Sequence, residues 1–168
     1  ILASKYGLRN VFAVLGTAFS EEQAKHLKQC GISTLIFAFD GDEAGKKALK
    51  RAAEISKRYG FVTKYIDMPD GFDLCDMAFR QQNSFIYNMR LRESYYFYKE
   101  LERVINEYER TLLEIRSRLM LEAKKVRSGI TDMDELGIFD EFLFERFEID
   151  MQRVKADEHI ESNRKAPL

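Results

Sequence analysis

Two runs of apolar, β-favouring residues, Thr34–Phe39 and Phe61–Met68, flank a stretch with helical periodicity, Glu43–Tyr59. A continuous apolar run indicates a strand that is buried on both faces. A shorter run, Val11–Leu15, precedes a second amphipathic stretch, Ser20–Cys30. Strands that alternate with helices through short links predict an α/β fold with a parallel sheet and right-handed crossovers. In such sheets the binding residues gather beyond the carboxyl ends of the strands.

The character of the sequence changes near residue 84. Seven of the nine glycines lie in the first 71 residues. The apolar residues that follow have the heptad spacing of packed helices. They are Tyr98, Leu101, Ile105, Tyr108, Leu112, Ile115 and Leu119. Gly129 is predicted to end this helix, and a second apolar helical face runs from Phe139 to Val154. We predict an α/β core over residues 1–83 and, over 84–168, an all-α helical hairpin or coiled-coil appendage with a polar tail.

The composition excludes several classes of protein. The 168 residues include 27 basic and 28 acidic side chains, which excludes a basic coat over the whole chain. No segment approaches the roughly 18 consecutive apolar residues of a membrane span. Cys30 and Cys75, with only two histidines, form neither a zinc pattern nor a disulfide framework, and they predict a cytoplasmic protein with reduced thiols. The sequence starts at Ile1 rather than at a methionine, and its first residues have the pattern of a helix that has already begun. We therefore expect the chain to be a segment of a longer protein.

The motif with the clearest chemistry is Asp40-Gly41-Asp42, directly after a predicted strand. Two carboxylates one residue apart can converge on one hard cation, and carboxylate oxygens suit Mg²⁺ or Mn²⁺. Gly45 allows the next helix to approach the strand closely, and its N-terminus favours phosphate groups. Lys46 lies beside this N-terminus and is a candidate phosphate contact.

Three other interpretations of this motif compete with a metal site. An EF-hand loop that started at Asp40 would place Ala44 and Arg51 at ligand positions, so that reading fails. A phosphatase with an aspartate nucleophile usually has threonine where this chain has Ala44. An acidic turn that only caps the helix beginning near Glu43 remains open.

Four ordered segments resemble the Toprim domain, specifically that of bacterial DnaG-type DNA primases. A further stretch, Ile1–Arg9, resembles the helix before the family's second strand. The four segments are Asn10–Ala18 (NVFAVLGTA), Ser20–Leu27 (SEEQAKHL), Phe39–Ala48 (FDGDEAGKKA) and Pro69–Asp73 (PDGFD).

The resemblance implies a set of site residues. Asp40 and Asp42 are expected to be catalytic and to bind the metal, with Asp73 as a third ligand. The expected nucleotide and phosphate contacts are Gly16, Thr17, Gly45 and Lys46. The family's first strand, which carries a glutamate ligand, would precede Ile1, so the segment alone is expected to be inactive. Cys75 occupies the position of the family's next carboxylate, for which Asp76 is the alternative.

The resemblance also implies an activity and partners. A DnaG-type primase is a nucleotidyltransferase that synthesises RNA primers on single-stranded DNA from ribonucleoside triphosphates, with Mg²⁺ or Mn²⁺ as cofactor. Two alternatives stay open: a metal-dependent Toprim nuclease of phage or defence type, and a non-catalytic Toprim scaffold. The helical part resembles no primase segment, and we expect it to be an interaction module, with a replicative helicase as one candidate partner.

Overall fold

The computed structural model describes residues 2–14, 18–106 and 112–151. Two compact units, residues 1–100 and 101–168, divide the chain. The predicted boundary at residue 83/84 falls inside the first unit. The helices are α1 Leu2–Lys5, α2 Glu21–Gln29, α3 Glu43–Arg58, α4 Leu74–Gln81, α5 Phe85–Leu91, α6 Tyr96–Asn106, α7 Leu112–Ser128 and α8 Met133–Phe147, and the strands are β1 Thr34–Phe37, β2 Val62–Ile66 and β3 Glu93–Tyr95.

The sheet of the first unit has the order β1-β2-β3. β1 and β2 are parallel, from Thr34 beside Val62 to Phe37 beside Tyr65, with α3 as the crossover. β3 is antiparallel to β2, so the sheet is mixed. The predicted α/β class is confirmed, whereas the sequence did not predict the antiparallel strand.

Both faces of this sheet are covered by helices. Successive strand residues face opposite sides, and Tyr65 and Ile66 of β2 enter two separate cores. The first core includes Leu35, Phe37 and residues of α2 and α3, among them Ala53. The second contains buried residues of α1, α4 and α5. The carboxyl ends of β1 and β2 are therefore held at one edge between two packed layers.

The predicted strand Val11–Leu15 is wrong for residues 11–14, which form no strand in the structure. Val11 is 43% exposed and Phe12 is 51% exposed. Leu15 lies outside the described residues. In the described part of the sheet, β1 is hydrogen-bonded to β2 alone. An apolar pattern indicates a tendency to be buried, but a strand also requires a neighbour with which its backbone can pair.

The aromatic run Tyr95–Tyr98 contributes two buried side chains to the packing of the first unit. Tyr96 is 8% exposed and Phe97 is 1% exposed. Tyr95 belongs to β3 rather than to the helix, because the run begins at the strand that pairs with β2.

In the second unit, α7 and α8 contact each other. Leu119 and Ala123 of α7 and Phe139 and Leu143 of α8 are buried. The Asp132 carboxylate accepts from the amides of the first turn of α8, at 3.0 and 2.9 Å, and marks its start. The short link between α7 and α8 agrees with a helical hairpin. Tyr108 and Val154 of the predicted apolar faces lie outside the described residues. Within those residues, no helix is both long and apolar enough to span a membrane.

Candidate metal and nucleotide site

The loops that follow β1 and β2 meet at the carboxyl edge of the sheet. The Gly41 amide donates to the Phe72 carbonyl at 2.9 Å. A Cβ atom on Gly41 would lie 1.9 Å from the Pro69 carbonyl oxygen, a distance that no side chain permits. Gly71 has a φ of 74° and closes the turn in which the Phe72 amide donates to the Pro69 carbonyl. Glycine at position 41 is therefore what allows the two acidic loops to come together.

Each loop ends in an aspartate that caps a helix. Asp42 is the N-cap of α3 and accepts from the Gly45 amide at 2.7 Å. Asp73 is the N-cap of α4 and accepts from the Asp76 amide at 2.6 Å. The interpretation of the acidic turn as a helix cap is therefore correct for Asp42. Each of these hydrogen bonds uses Oδ1, and a carboxylate has a second oxygen that can bind a cation.

The carboxylates of the two loops interact electrostatically. Partial burial, followed by the negative charges of Asp73, Asp42 and Asp76, raises the pKa of Asp40 above its usual value. On the second loop the charges that act on Asp40 come from Asp73 and Asp76. Cys75 lies between them and is exposed. Of these neighbouring positions, Asp76 therefore acts on Asp40 through its charge, as Asp73 does.

The donors of this site fit Mg²⁺ or Mn²⁺ in chemistry. They are oxygens of aspartate side chains whose mutual repulsion a cation would relieve. Among residues 2–14, 18–106 and 112–151, no three His, Cys, Asp or Glu side chains already stand close enough to hold one metal ion. Mg²⁺ is usually bound by one or two carboxylates together with water and substrate phosphates, so a complete protein cage is not required.

Gly45 and Lys46 lie in the first turn of α3, where sequence reasoning placed them. A Cβ atom on Gly45 would lie 2.0 Å from the Asp40 carbonyl oxygen, so only glycine lets α3 start this close to the loop. Lys46 Nζ is 3.2 Å from Glu43 and 3.6 Å from Asp70. The hydrogen bond with Glu43, and then the two acidic charges, raise the pKa of Lys46. The remaining predicted phosphate contacts, Gly16 and Thr17, lie outside the described residues.

A shallow cleft lies beside Asp40. Its lining combines the loop after β1, the first turns of α3, the end of β2 and one residue of α6. The residues are Phe39, Asp40, Gly41, Gly45, Lys46, Leu49, Tyr65, Ile66, Asp67, Met68 and Lys99. The predicted residues Asp40, Gly45 and Lys46 are brought together here, and Asp42 adjoins them in the loop.

Sequence reasoning missed three polar members of this cleft: Tyr65, Asp67 and Lys99. Tyr65 and Asp67 belong to a run that predicts only a buried strand and its end. Lys99 stands among residues with heptad spacing, where a lysine indicates only a solvated position. No sequence signal relates it to Asp40, because the pairing of β3 with β2 brings α6 to this edge.

Comparisons with known proteins identify the family of the first domain. Residues 2–78 match the model of the Toprim-like family. The DNA primase of Clostridium acetobutylicum is 44% identical over 69 residues, which are 41% of this chain and 11% of that protein. A crystal structure of a DNA primase domain from Pseudomonas aeruginosa superposes with a TM-score of 0.67 at 26% identity, covering 88% of this chain and 47% of that chain. Residues 2–78 are therefore a Toprim-like domain.

The same relatives are DNA primases, so the Toprim-like domain of residues 2–78 is of the DnaG primase type. The resemblance stated from the sequence is thus confirmed. A structure of a DnaG primase catalytic domain bound to single-stranded DNA has the same fold, with a TM-score of 0.67 at 19% identity, covering 89% of this chain and 48% of that chain. The chain spans about half of these solved domains and about a ninth of the Clostridium acetobutylicum protein.

The comparisons also revise the view of the helical part. The Pseudomonas aeruginosa domain covers 88% of this chain, which extends well beyond residue 83. Residues after the Toprim-like segment therefore have counterparts in the primase fold. The sequence of the helical part was expected to resemble no primase segment, whereas the structural similarity extends into this part of the chain.

Proposed function

We propose that this chain is the metal-binding part of a DNA primase, a nucleotidyltransferase that synthesises RNA primers on single-stranded DNA during replication. The observation that carries the proposal is the meeting of the Asp40–Asp42 and Pro69–Asp73 loops at the carboxyl edge of a Toprim-like sheet. Partial burial and the nearby carboxylates raise the pKa of Asp40, and a cation bound there would relieve the repulsion among these carboxylates.

Each polar residue has a role in this reaction. Asp40 and Asp42 hold Mg²⁺ or Mn²⁺, and Asp73 contributes a third carboxylate from the facing loop. A metal held there would supply positive charge that neutralises a triphosphate and favours in-line attack of a 3′-hydroxyl at the α-phosphate. Asp42 also caps α3, so the metal-binding carboxylate stays at a fixed distance from the N-terminus of this helix. Asp70, the present partner of Lys46, is 92% exposed. A phosphate group replaces Asp70 as the partner of Lys46 when the substrate binds.

The substrates and partners belong to the same proposal. A relative of the same fold has been seen with single-stranded DNA, which supports a single-stranded template. Ribonucleoside triphosphates are the proposed second substrate, with Gly16 and Thr17 as further contacts. A replicative helicase as partner of the helical part and a cytoplasmic location stay predictions.

The test is primer synthesis by the complete protein with Mg²⁺ or Mn²⁺. Asp40→Ala and Asp42→Ala are each expected to lower the rate by at least about a hundredfold, because a metal-held charge is lost at the reacting phosphate. The exposed acid Asp134 in the first turn of α8 offers a control, and Asp134→Ala is expected to keep the rate. Unchanged synthesis in both site variants would refute the catalytic assignment.

Two other results would change the function. Metal-dependent cleavage of DNA without incorporation of ribonucleotides would assign a Toprim nuclease. Absence of metal binding and of both activities would leave a scaffold, for which the exposed Cys75 in the family's acidic position is the sequence argument.

A further inference from the structure

The cleft beside Asp40 carries two lysines from different elements. Lys46 belongs to the first turn of α3, and Lys99 belongs to α6. Leu49 and Tyr65 add an apolar and aromatic lining. Two cations in one concave site next to a metal-binding carboxylate suit a compact, highly charged anion.

Lys99 is held in position by two contacts. Its Nζ lies 4.3 Å from the centroid of the Tyr65 ring and 3.5 Å from Asp67 Oδ1. The Lys99 side chain is 30% exposed, so the ammonium group is oriented but still accessible. Asp67 is 65% exposed, and an ion pair with such a solvated partner is weak. A multiply charged phosphate group can therefore displace Asp67 at small cost.

The two lysines have similar ion-pair partners. Each is paired with an exposed aspartate on the segment after β2, Lys46 with Asp70 and Lys99 with Asp67. Because both aspartates are exposed and such ion pairs are weak, a stronger anion can displace them. The two lysines differ in two respects: Lys46 also pairs with Glu43 at 3.2 Å, and Lys99 lies over an aromatic ring, which fixes its direction.

We propose that Lys99 is a second phosphate-binding residue of this cleft and contacts the polyphosphate of the nucleoside triphosphate together with Lys46. The proposal rests on the function proposed above and adds a residue that neither the Toprim-like segment, residues 2–78, nor the motifs contain. A nucleic-acid backbone is the less suitable ligand, because it requires cations spread along a track rather than gathered in one cleft.

The experiment uses sodium tripolyphosphate with Mg²⁺, titrated calorimetrically into the wild type and the variant Lys99→Gln. The affinity of Lys99→Gln is expected to fall by about three- to tenfold, the usual net effect of one hydrogen bond, because the contact with phosphate replaces the weak pair with Asp67. The salt dependence of binding should also decrease by about one released counterion. Lys99→Arg is expected to retain most of the affinity.

Lys64 provides a matched control. It is similarly half-buried, lies 4.6 Å from the Tyr95 ring and pairs with Glu93 at 2.8 Å. Because it neighbours Tyr65 in β2, its side chain points to the opposite face of the sheet. Lys64→Gln should therefore bind tripolyphosphate like the wild type.

Asp67→Asn separates a binding role from a structural one. If Asp67 only competes with phosphate, its removal strengthens tripolyphosphate binding. If the Lys99–Asp67 pair only stabilises the cleft, Asp67→Asn and Lys99→Gln weaken binding alike, which would overturn the proposal. Loss of binding to single-stranded DNA in Lys99→Gln without loss for tripolyphosphate would also overturn it.

The result distinguishes this inference from the function on which it rests. Wild-type affinity in Lys99→Gln, with binding still dependent on Mg²⁺ and on Asp40, would refute the role of Lys99 and leave the proposed function intact. A wild type that binds neither Mg²⁺ nor tripolyphosphate would refute both.

Discussion

The carboxyl group of Asp40 lies in an unfavourable electrostatic position. Its carboxyl is acted on by Asp73, Asp42 and Asp76, and their charges add to partial burial in raising its pKa. Without a cation, the folded state therefore holds negative charges closer together than the unfolded chain does. At this position, the proposed metal-binding role opposes stability.

The first prediction concerns this opposition. Asp40→Asn removes one of the repelling charges and should raise the melting temperature in metal-free buffer by about 1–3 °C. Saturating Mg²⁺ should stabilise the wild type but not the variant, since only the wild type has the ligand. Thermal unfolding with and without chelator measures both effects. A metal-free Asp40→Asn that melts lower than the wild type would contradict the electrostatic interpretation.

The second prediction compares two helical glycines. Gly45→Ala should destabilise the first unit by about 2 kcal/mol or more, because its Cβ would lie 2.0 Å from the Asp40 carbonyl oxygen. Gly137 in α8 has no atom within 4 Å of an added Cβ, and Gly137→Ala should stabilise α8 by about 0.5–1 kcal/mol. Chemical denaturation followed by circular dichroism tests both, and equal effects would refute the close contact at Gly45.

How far the site could be predicted depends on how local each residue's role is. Asp40 and Asp42 were predicted because their spacing after a strand carries the chemistry within three residues. Lys99 was not predicted, because its position depends on β3 pairing with β2 and on the ring of Tyr65. No pattern within the segment around Lys99 encodes either contact.

At the scale of elements, the start of α3 unites an observed structural role, the helix cap, with a proposed role in metal binding. Asp42 caps the helix through Oδ1 at 2.7 Å from the Gly45 amide. Its other oxygen is available to a metal. The helix and the ligand are thus coupled, and substitutions can separate the two tasks.

The third prediction uses this separation. Asn is as good an N-cap as Asp, so Asp42→Asn should keep the stability of the metal-free protein while weakening Mg²⁺ binding. Asp42→Ala should weaken Mg²⁺ binding and also cost about 1 kcal/mol of stability. Ser20→Ala at the cap of α2, which holds the Gln23 amide at 3.2 Å, should show the stability loss alone. Equal Mg²⁺ affinity in Asp42→Asn and the wild type would contradict the role of Asp42 as a ligand.

The fourth prediction concerns the link between α7 and α8. Arg127 donates two hydrogen bonds to Asp140, at 2.8 and 2.7 Å, and their side chains are only 13% and 21% exposed. Asp140→Ala should destabilise this helix pair by about 1–3 kcal/mol, because a charge-assisted bidentate contact is lost.

The control for that prediction is Glu122→Ala, which breaks the pair with Lys125, whose side chain is 63% exposed, and should change stability by less than about 0.5 kcal/mol. Urea unfolding of α7 and α8 is the measurement. Equal effects of the two substitutions would show that burial of the Arg127–Asp140 pair has no energetic consequence.

The elements themselves were predicted unevenly. The helices α2 and α3 follow from their caps and apolar spacing, and β1 and β2 from their apolar runs. β3 is only three residues long and was read as part of a helix. Residues 11–14 have a strand-like composition and form no strand. Both errors concern pairing between distant segments, which local periodicity does not report.

At the scale of the molecule, two compact units follow one another, residues 1–100 and 101–168. The Toprim-like match covers residues 2–78, while the structural similarity to a primase domain covers 88% of the chain. The first unit therefore includes more than the matched segment, and α5, β3 and the start of α6 complete it. It is this addition that brings Lys99 to the cleft.

The binding of Mn²⁺, followed by electron paramagnetic resonance, tests the central claim most directly. Mn²⁺ has the ligand preference of this site and reports binding without requiring catalysis. The wild type should bind Mn²⁺ competitively with Mg²⁺, and Asp40→Asn/Asp42→Asn should weaken that binding by at least about tenfold, whereas Asp134→Asn should not change it. Unchanged Mn²⁺ affinity in the double variant would contradict a metal site at Asp40 and Asp42.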